Sequence, residues 1–197
     1  MQLTHCVMSI VDNFMNTTIL SKNGQSFTVR PLTSKDTYQI IQIFDQKRAE
    51  SRYLRFHQLV VDIDAPTALL HATEIITQSV EQGEGLIAFD AETPIAAARL
   101  IRVKDHVAEI AMSVADSYQN QGLGKQLLIM LTHNADRHGW RRLVATIQND
   151  NSAIWHLLTK LPYTVVRHLE QGESDVTIHL TAPADERKVN VAKFSNF

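Results

Sequence analysis

Apolar residues along this chain change period several times, and each change marks an element. Residues 27–32 alternate as a strand that Pro31 brings to an end. Thr33 or Ser34 is placed to cap a helix with Asp36 in its first turn. Tyr38, Ile40, Ile41, Ile43 and Phe44 carry that helix to about Glu50. A second helix, residues 66–82, follows Asp62-Ile63-Asp64, with Ile75, Ile76 and Val80 toward the core. Gly83-Glu84-Gly85 then opens a β region. Residues 86–89, 94–103 and 107–114 read as strands of an antiparallel meander, with turns at 91–93 and 104–106.

The pattern next becomes helical over residues 121–138 and stops at Gly139, a fitting left-handed end. Residues 143–147 are apolar and β-branched enough for a strand. The strand–helix–strand order predicts parallel pairing of 107–114 with 142–147, closed right-handedly. Asn149-Asp150-Asn151 can cap a helix over 152–160, which Pro162 cannot continue. Residues 163–169 and 175–180 make a closing hairpin through Gln171-Gly172-Glu173. The sum is an α/β chain of the α+β kind. Its central sheet is mixed, mostly antiparallel and of about seven strands, flanked by about four helices.

Residues 1–26 read as an N-terminal extension, 27–181 as the domain and 182–197 as a polar tail. Val7, Met8, Ile10, Val11, Phe14 and Met15 suit a short helix or strand, and Ser21-Lys22-Asn23-Gly24 a turn. That piece either packs on the domain or lies in a homodimer contact; the pattern leaves both open.

Composition narrows the function classes. The chain has 197 residues, 44% hydrophobic and 20% charged, with a formal net charge of -2. That balance offers no field for nucleic acid or an anionic membrane. A single cysteine, Cys6, excludes an internal disulfide and fits a reducing, cytoplasmic setting. Neither a signal peptide nor a membrane span is visible, and no Cys/His spacing suits zinc, so no metal is expected.

The stretch 108–128, AEIAMSVADSYQNQGLGKQLL, carries the chemistry. A strand delivers the chain through a polar turn into a helix, and Gly122 and Gly124 sit at the junction. The first amides of a helix have no intrahelical acceptor and lie at the positive end of its dipole. Glycine lets a bulky anion reach that backbone. A P-loop is excluded because Gln126 follows Gly124-Lys125 and Gln119 replaces the first glycine. The dinucleotide fingerprint fails because Leu127 stands where its last glycine belongs.

The remaining spelling, Q/R-x-x-G-x-G/A after an apolar strand, resembles the coenzyme A loop of the GNAT acyltransferases, through Gln119, Gly122 and Gly124. Asn151 and Tyr163 also have that family's spacing, with Pro162 in place of glycine. Ser51-Arg52-Tyr53-Leu54-Arg55-Phe56 and Ala108-Glu109 are similar to segments of its bacterial protein lysine acetyltransferases. The resemblance implies a GNAT fold over residues 27–181 and acetyl-CoA as cofactor. It implies Glu109 as general base, Asn151 on the pantetheine arm, and Arg52, Tyr53 and Arg55 at the acceptor. Many members place an acidic tyrosine seven residues after the asparagine; here that position is Leu158. Either the thiolate leaves unassisted, since a thiol is already a moderate acid, or another group serves, with Tyr163 and Tyr118 as the candidates. No cyclic-nucleotide module is visible.

The residues fit acetyl transfer to an amine. The amides of Gln121, Gly122, Leu123, Gly124 and Lys125 suit a pyrophosphate. The backbone from Met112 to Val114 suits pantetheine, and the Val114 amide suits a thioester oxygen gaining charge. Free lysine has a pKa of about 10.4, so a base such as Glu109 is useful near pH 7. A protein lysine is the leading acceptor. A small amine, and a non-catalytic acyl-CoA-binding sensor, are the alternatives. The plainer account of this segment is helix–helix packing by Tyr53, Leu54 and Phe56, with Arg52 and Arg55 in water.

Overall fold

The computed structural model describes residues 16–56 and 64–180, excepting the side chains of Arg55 and Phe56. The apolar positions before residue 16, Cys6, Asp62, Ile63 and the polar tail lie outside the described residues.

Eight strands form one sheet in the order β1-β2-β3-β4-β5-β6-β8-β7. β1 (Thr17–Leu20) and β2 (Ser26–Pro31) form a hairpin around Gly24, whose φ of +82° suits glycine. β1 is the strand beyond the seven that periodicity marks. Ile19 is buried on it and Leu20 is exposed. β3 (Gly83–Asp90), β4 (Thr93–Lys104) and β5 (Val107–Val114) are the expected antiparallel meander. β6 (Arg142–Gln148) pairs parallel with β5, and β8 (Glu173–His179) lies between β6 and β7 (Thr164–Leu169).

Helices cover both faces of this sheet. α4 (Leu123–Arg137) buries Leu123, Leu127, Leu128, Leu131 and Ala135 against Leu86, Ala88 and Leu100. α1 (Thr37–Asp45) and α3 (Ala65–Glu81) place Ile43 and Ile76 against Leu32 and Ile87 on the other face. Consecutive β3 residues therefore feed opposite cores, which is why 86–89 is a continuous apolar run. Burying each such side chain contributes roughly 1.5–3 kcal/mol. α5 (Ser152–Leu158) is capped by Asn151, whose side chain accepts from the Ile154 amide at 3.3 Å.

Three local expectations need correction. The helix beginning near Asp36 does not reach Glu50; it breaks at residues 46–48, and α2 (Ala49–Phe56) follows as a fifth helix. The break is held from outside: Asp116 N–H donates to Gln46 O, and Arg48 N–H donates to the Asp116 carboxylate at 2.9 Å. Neither Thr33 nor Ser34 is the cap. Asp36 takes the cap position, but its buried carboxylate receives Arg30 at 2.7 and 2.8 Å and the Thr33 N–H and O–H instead. On α3 the buried stripe is Ala72, Ile76 and Ser79, which turns Val80 outward at 47% exposure.

Candidate active site

The pairing of β5 with β6 was expected along the whole strand. It covers only three register pairs, Val107–Arg142, Ala108–Leu143 and Glu109–Val144. β6 meanwhile keeps seven pairs with β8 on its other side. Beyond Glu109 the two parallel strands part, and the sheet opens there. A cavity of about 1040 Å³ fills the opening, lined by residues 109–114 of β5 and 144–147 of β6.

The antiparallel ladder fixes which β5 groups face this cleft. Ala115 N–H donates to Ile95 O at 2.8 Å, and the register runs unbroken from Ala96–Val114 to Arg102–Ala108. Backbone groups alternate sides along a strand. The amides and carbonyls of Glu109, Ala111 and Ser113 therefore pair with β4. Those of Ile110, Met112 and Val114 point the other way: the Ile110 amide meets β6 at the last register pair, and the Ile110 carbonyl and the groups of Met112 and Val114 face the cleft. The Val114 carbonyl accepts from Gln119 Nε2 at 3.3 Å; its amide has no acceptor among the described residues.

The loop from Gln119 to Lys125 closes one end. Asn120 and Gly122 take left-handed φ of +61° and +92°, and Gly122 is the N-cap of α4. The β1–β2 turn holds the loop from behind: Lys22 N–H donates to Gln121 O at 2.9 Å, and Lys22 Nζ to Asn120 O at 2.9 Å. With those carbonyls tied back, the amides of residues 120–125 have no acceptor among the described residues. The first turn of α4 carries no acidic side chain, so its positive end is uncompensated there. A Cβ on Gly124 would meet Leu157 and Met112 at 3.6 Å, ordinary contact at the cleft wall.

The predicted side chains are distributed unevenly. Glu109, Met112, Val114, Gln119, Gly122, Gly124, Lys125 and Asn151 line the cavity. Glu109 is exposed and diagonal on its face to Arg99, whose pKa is lowered by burial and partly restored by the Glu109 charge. Leu123 is buried in the core and Gln121 Nε2 donates to Ser117 O, so these two offer only backbone to the cleft. On α2, Arg52 lies over the Phe44 ring at 4.2 Å and Tyr53 O–H reaches Gln148 Oε1 at 3.4 Å. Among the described residues of α2, Ser51 and Leu54 line the cavity. The side chain of Arg55 lies outside the described residues.

None of the tyrosine positions offers a free acid. Leu158 is buried between the core and the cavity wall and carries no acid. Tyr118 lines the cavity, but its hydroxyl donates to Asp90 Oδ2 at 2.9 Å. Desolvation first, then that carboxylate, raise its pKa. Tyr163 packs against the core rather than lining the cavity. Periodicity did not mark Lys22, Lys47 or Ser113, which the tertiary structure brings to the site. The only trace of Lys47 in the sequence is a polar Gln46-Lys47-Arg48 run after an apolar helix.

A family description, the acetyltransferase (GNAT) domain, matches residues 26–164. The chain belongs to the GNAT acetyltransferase family. Solved structures agree on the fold. The GNAT domain of Streptomyces lividans PAT is 23% identical, with a TM-score of 0.72 over 83% of this chain and 96% of that one. A cAMP-binding acyltransferase from Mycobacterium smegmatis is 23% identical with a TM-score of 0.55; 87% of this GNAT chain covers only 49% of that protein. The yncA structure from Salmonella typhimurium, solved with its cofactor acetyl-CoA, is 20% identical. Its TM-score is 0.56 over 80% of this chain and 97% of that one.

Proposed function

We propose that this GNAT protein is an acetyl-CoA-dependent N-acetyltransferase that acts on a primary amine, a protein lysine, with Glu109 as general base. The observation that carries the reading is one cleft with two sets of unanswered backbone donors. The amides at Gln121–Lys125 suit a pyrophosphate at a helix N-terminus. The outward groups of Met112 and Val114, with the Ile110 carbonyl, suit the two amides of a pantetheine arm, added to β5 like a strand. Lys125 and Asn151, both lining the cavity, flank that arm.

When bound, acetyl-CoA supplies an acyl group activated as a thioester. The chain supplies orientation and charge. Val114 N–H donates to the thioester oxygen as it gains charge. Near pH 7 only about four lysine amines in ten thousand are neutral. Glu109, on the cavity wall, takes the amine proton directly or through water. The lysine acceptor rests on the resemblance of Ser51–Phe56, with Ser51 and Leu54 on the acceptor wall. Arg52 and Tyr53 then hold that helix in place through Phe44 and Gln148. A cytoplasmic location goes with this reading.

The second reading, a non-catalytic acyl-CoA-binding domain, draws on Leu158, which is core rather than acid. Calorimetry with CoA, followed by thiol release from acetyl-CoA with a panel of lysine peptides and polyamines, separates the two. Glu109→Gln is expected to lower turnover by roughly 10²–10⁴-fold while CoA still binds. Binding without turnover on any acceptor supports the second reading. A Glu109→Gln rate equal to wild type at every pH rules out Glu109 as base.

A further inference from the structure

The departing sulfur gains a negative charge, and the tyrosines place no free donor or cation beside it. We infer that Lys47 is the cation that stabilises the coenzyme thiolate as the acyl–sulfur bond breaks, held in place by Ser113. This rests on the acetyl-CoA reading above. Lys47 lines the cleft and is 7% exposed, and its Nζ donates to Ser113 Oγ at 2.8 Å. Ser113 lies between Met112 and Val114, whose backbone groups open on the cleft. The ammonium therefore stands beside the stretch of β5 along which the pantetheine arm runs.

The corner carrying Lys47 is pinned on two sides. Gln46 Nε2 donates to Pro94 O at 2.9 Å, Lys47 N–H donates to Phe44 O at 3.0 Å, and Arg48 is bonded to Asp116. A charge fixed beforehand in a partly desolvated site needs no reorganisation as the bond breaks. Other cations line the cleft, namely Lys22, Lys125, His156 and Lys160, but all are exposed. Glu109 faces the same cavity from β5, and His168 and Asp175 from β7 and β8. Lys47 alone among these cations is buried.

The step balances without a further reactant. The amine nitrogen bonds to the acyl carbon, and its proton passes to Glu109 and then to water. The carbon–sulfur bond breaks with its electron pair on sulfur, which leaves as a thiolate paired with the Lys47 ammonium. Water then protonates the thiolate.

The test needs no acceptor. CoA bound to the full chain is titrated and its thiolate followed by ultraviolet absorbance. A thiol free in water titrates near pH 8.5, and a cation within about 4–6 Å lowers that by about one unit or more. The expected result is a lowered thiol pKa in wild type that returns to the free value or above in Lys47→Met, with Lys47→Arg between. In turnover, Lys47→Met is expected to lose at least about tenfold in kcat with KM for acetyl-CoA within about twofold. Should Lys47→Met unfold, Ser113→Ala, which keeps the lysine and removes its anchor, is expected to raise the bound thiol pKa by a smaller amount. Equal thiol pKa values for bound CoA in wild type and the variants overturn the proposal while leaving the acetyltransferase reading intact. No heat with CoA in wild type removes both.

Discussion

Lys22 and Gln121, far apart in sequence, are joined by a backbone hydrogen bond of 2.9 Å, and the Lys22 ammonium reaches the neighbouring Asn120 carbonyl at the same distance. The edge hairpin thereby holds the carbonyl side of the loop whose amide side faces the cleft. Lys22→Ala removes only the ammonium bond. A net bond is worth about 0.5–1.5 kcal/mol, so CoA affinity is expected to fall roughly 2- to 10-fold with little change in melting temperature. Isothermal calorimetry beside a thermal scan checks it. An unchanged Kd would mean that the loop keeps its shape without this clamp.

The two loop glycines have different duties. Gly122 sits at φ +92°, where any side chain is strained, so Gly122→Ala is expected to cost about 1–2 kcal/mol in folding. Gly124 lies in the first turn of α4 with room for a methyl group. Gly124→Ala is expected to be neutral or to stabilise by up to about 1 kcal/mol. Urea denaturation of both variants reads the difference directly. Equal destabilisation would contradict the assignment.

Leu158 is core, and restoring the tyrosine other family members carry should not restore an acid. Leu158→Tyr inserts a larger, polar ring at a position 5% exposed. Destabilisation of about 1–3 kcal/mol is expected, with no gain in turnover. Leu158 also borders the cavity, so a stable variant with faster thiol release would show that a hydroxyl there reaches the departing sulfur.

Asp36 supplies the pH dependence. Burial pushes its carboxyl pKa up, but hydrogen bonds from Arg30 and Thr33 and the Arg30 charge outweigh that, and the net shift is downward. A lowered folded pKa gives stability that is present above the unfolded value, near 3.9, and lost as pH falls through the folded one. Asp36→Asn is expected to cost about 3 kcal/mol at pH 7, the low end for removing one partner of a buried pair. The gap to wild type should narrow below about pH 4. Urea midpoints of both proteins across pH 2–7 test the sign. A gap that stays constant across that range would mean the Asp36 charge is not what stabilises the corner.

Local pattern determined much of this protein. Alternation or short apolar runs marked β2 to β8, and helical spacing marked α4 with its glycine stop. The Gln119–Gly124 spelling marked the loop, because strand period, helix caps and backbone freedom are short-range properties. The role proposed for Glu109 comes from resemblance and from its being the one carboxylate within its strand, since a carboxylate on a strand otherwise looks like any solvent-facing one. The break between α1 and α2 was not legible, because Asp116, far along the chain, imposes it.

Tertiary structure alone decided three things. It parted β5 from β6 after Glu109, which turned an expected ladder into a cleft. It brought the Lys22 turn behind the glycine loop, and Lys47 onto Ser113. Each depends on contacts between segments distant in sequence, and neither hydrophobic period nor turn chemistry carries that information. The chain's own pattern specifies which elements form and where their polar ends lie; only their packing specifies which backbone groups are left without partners.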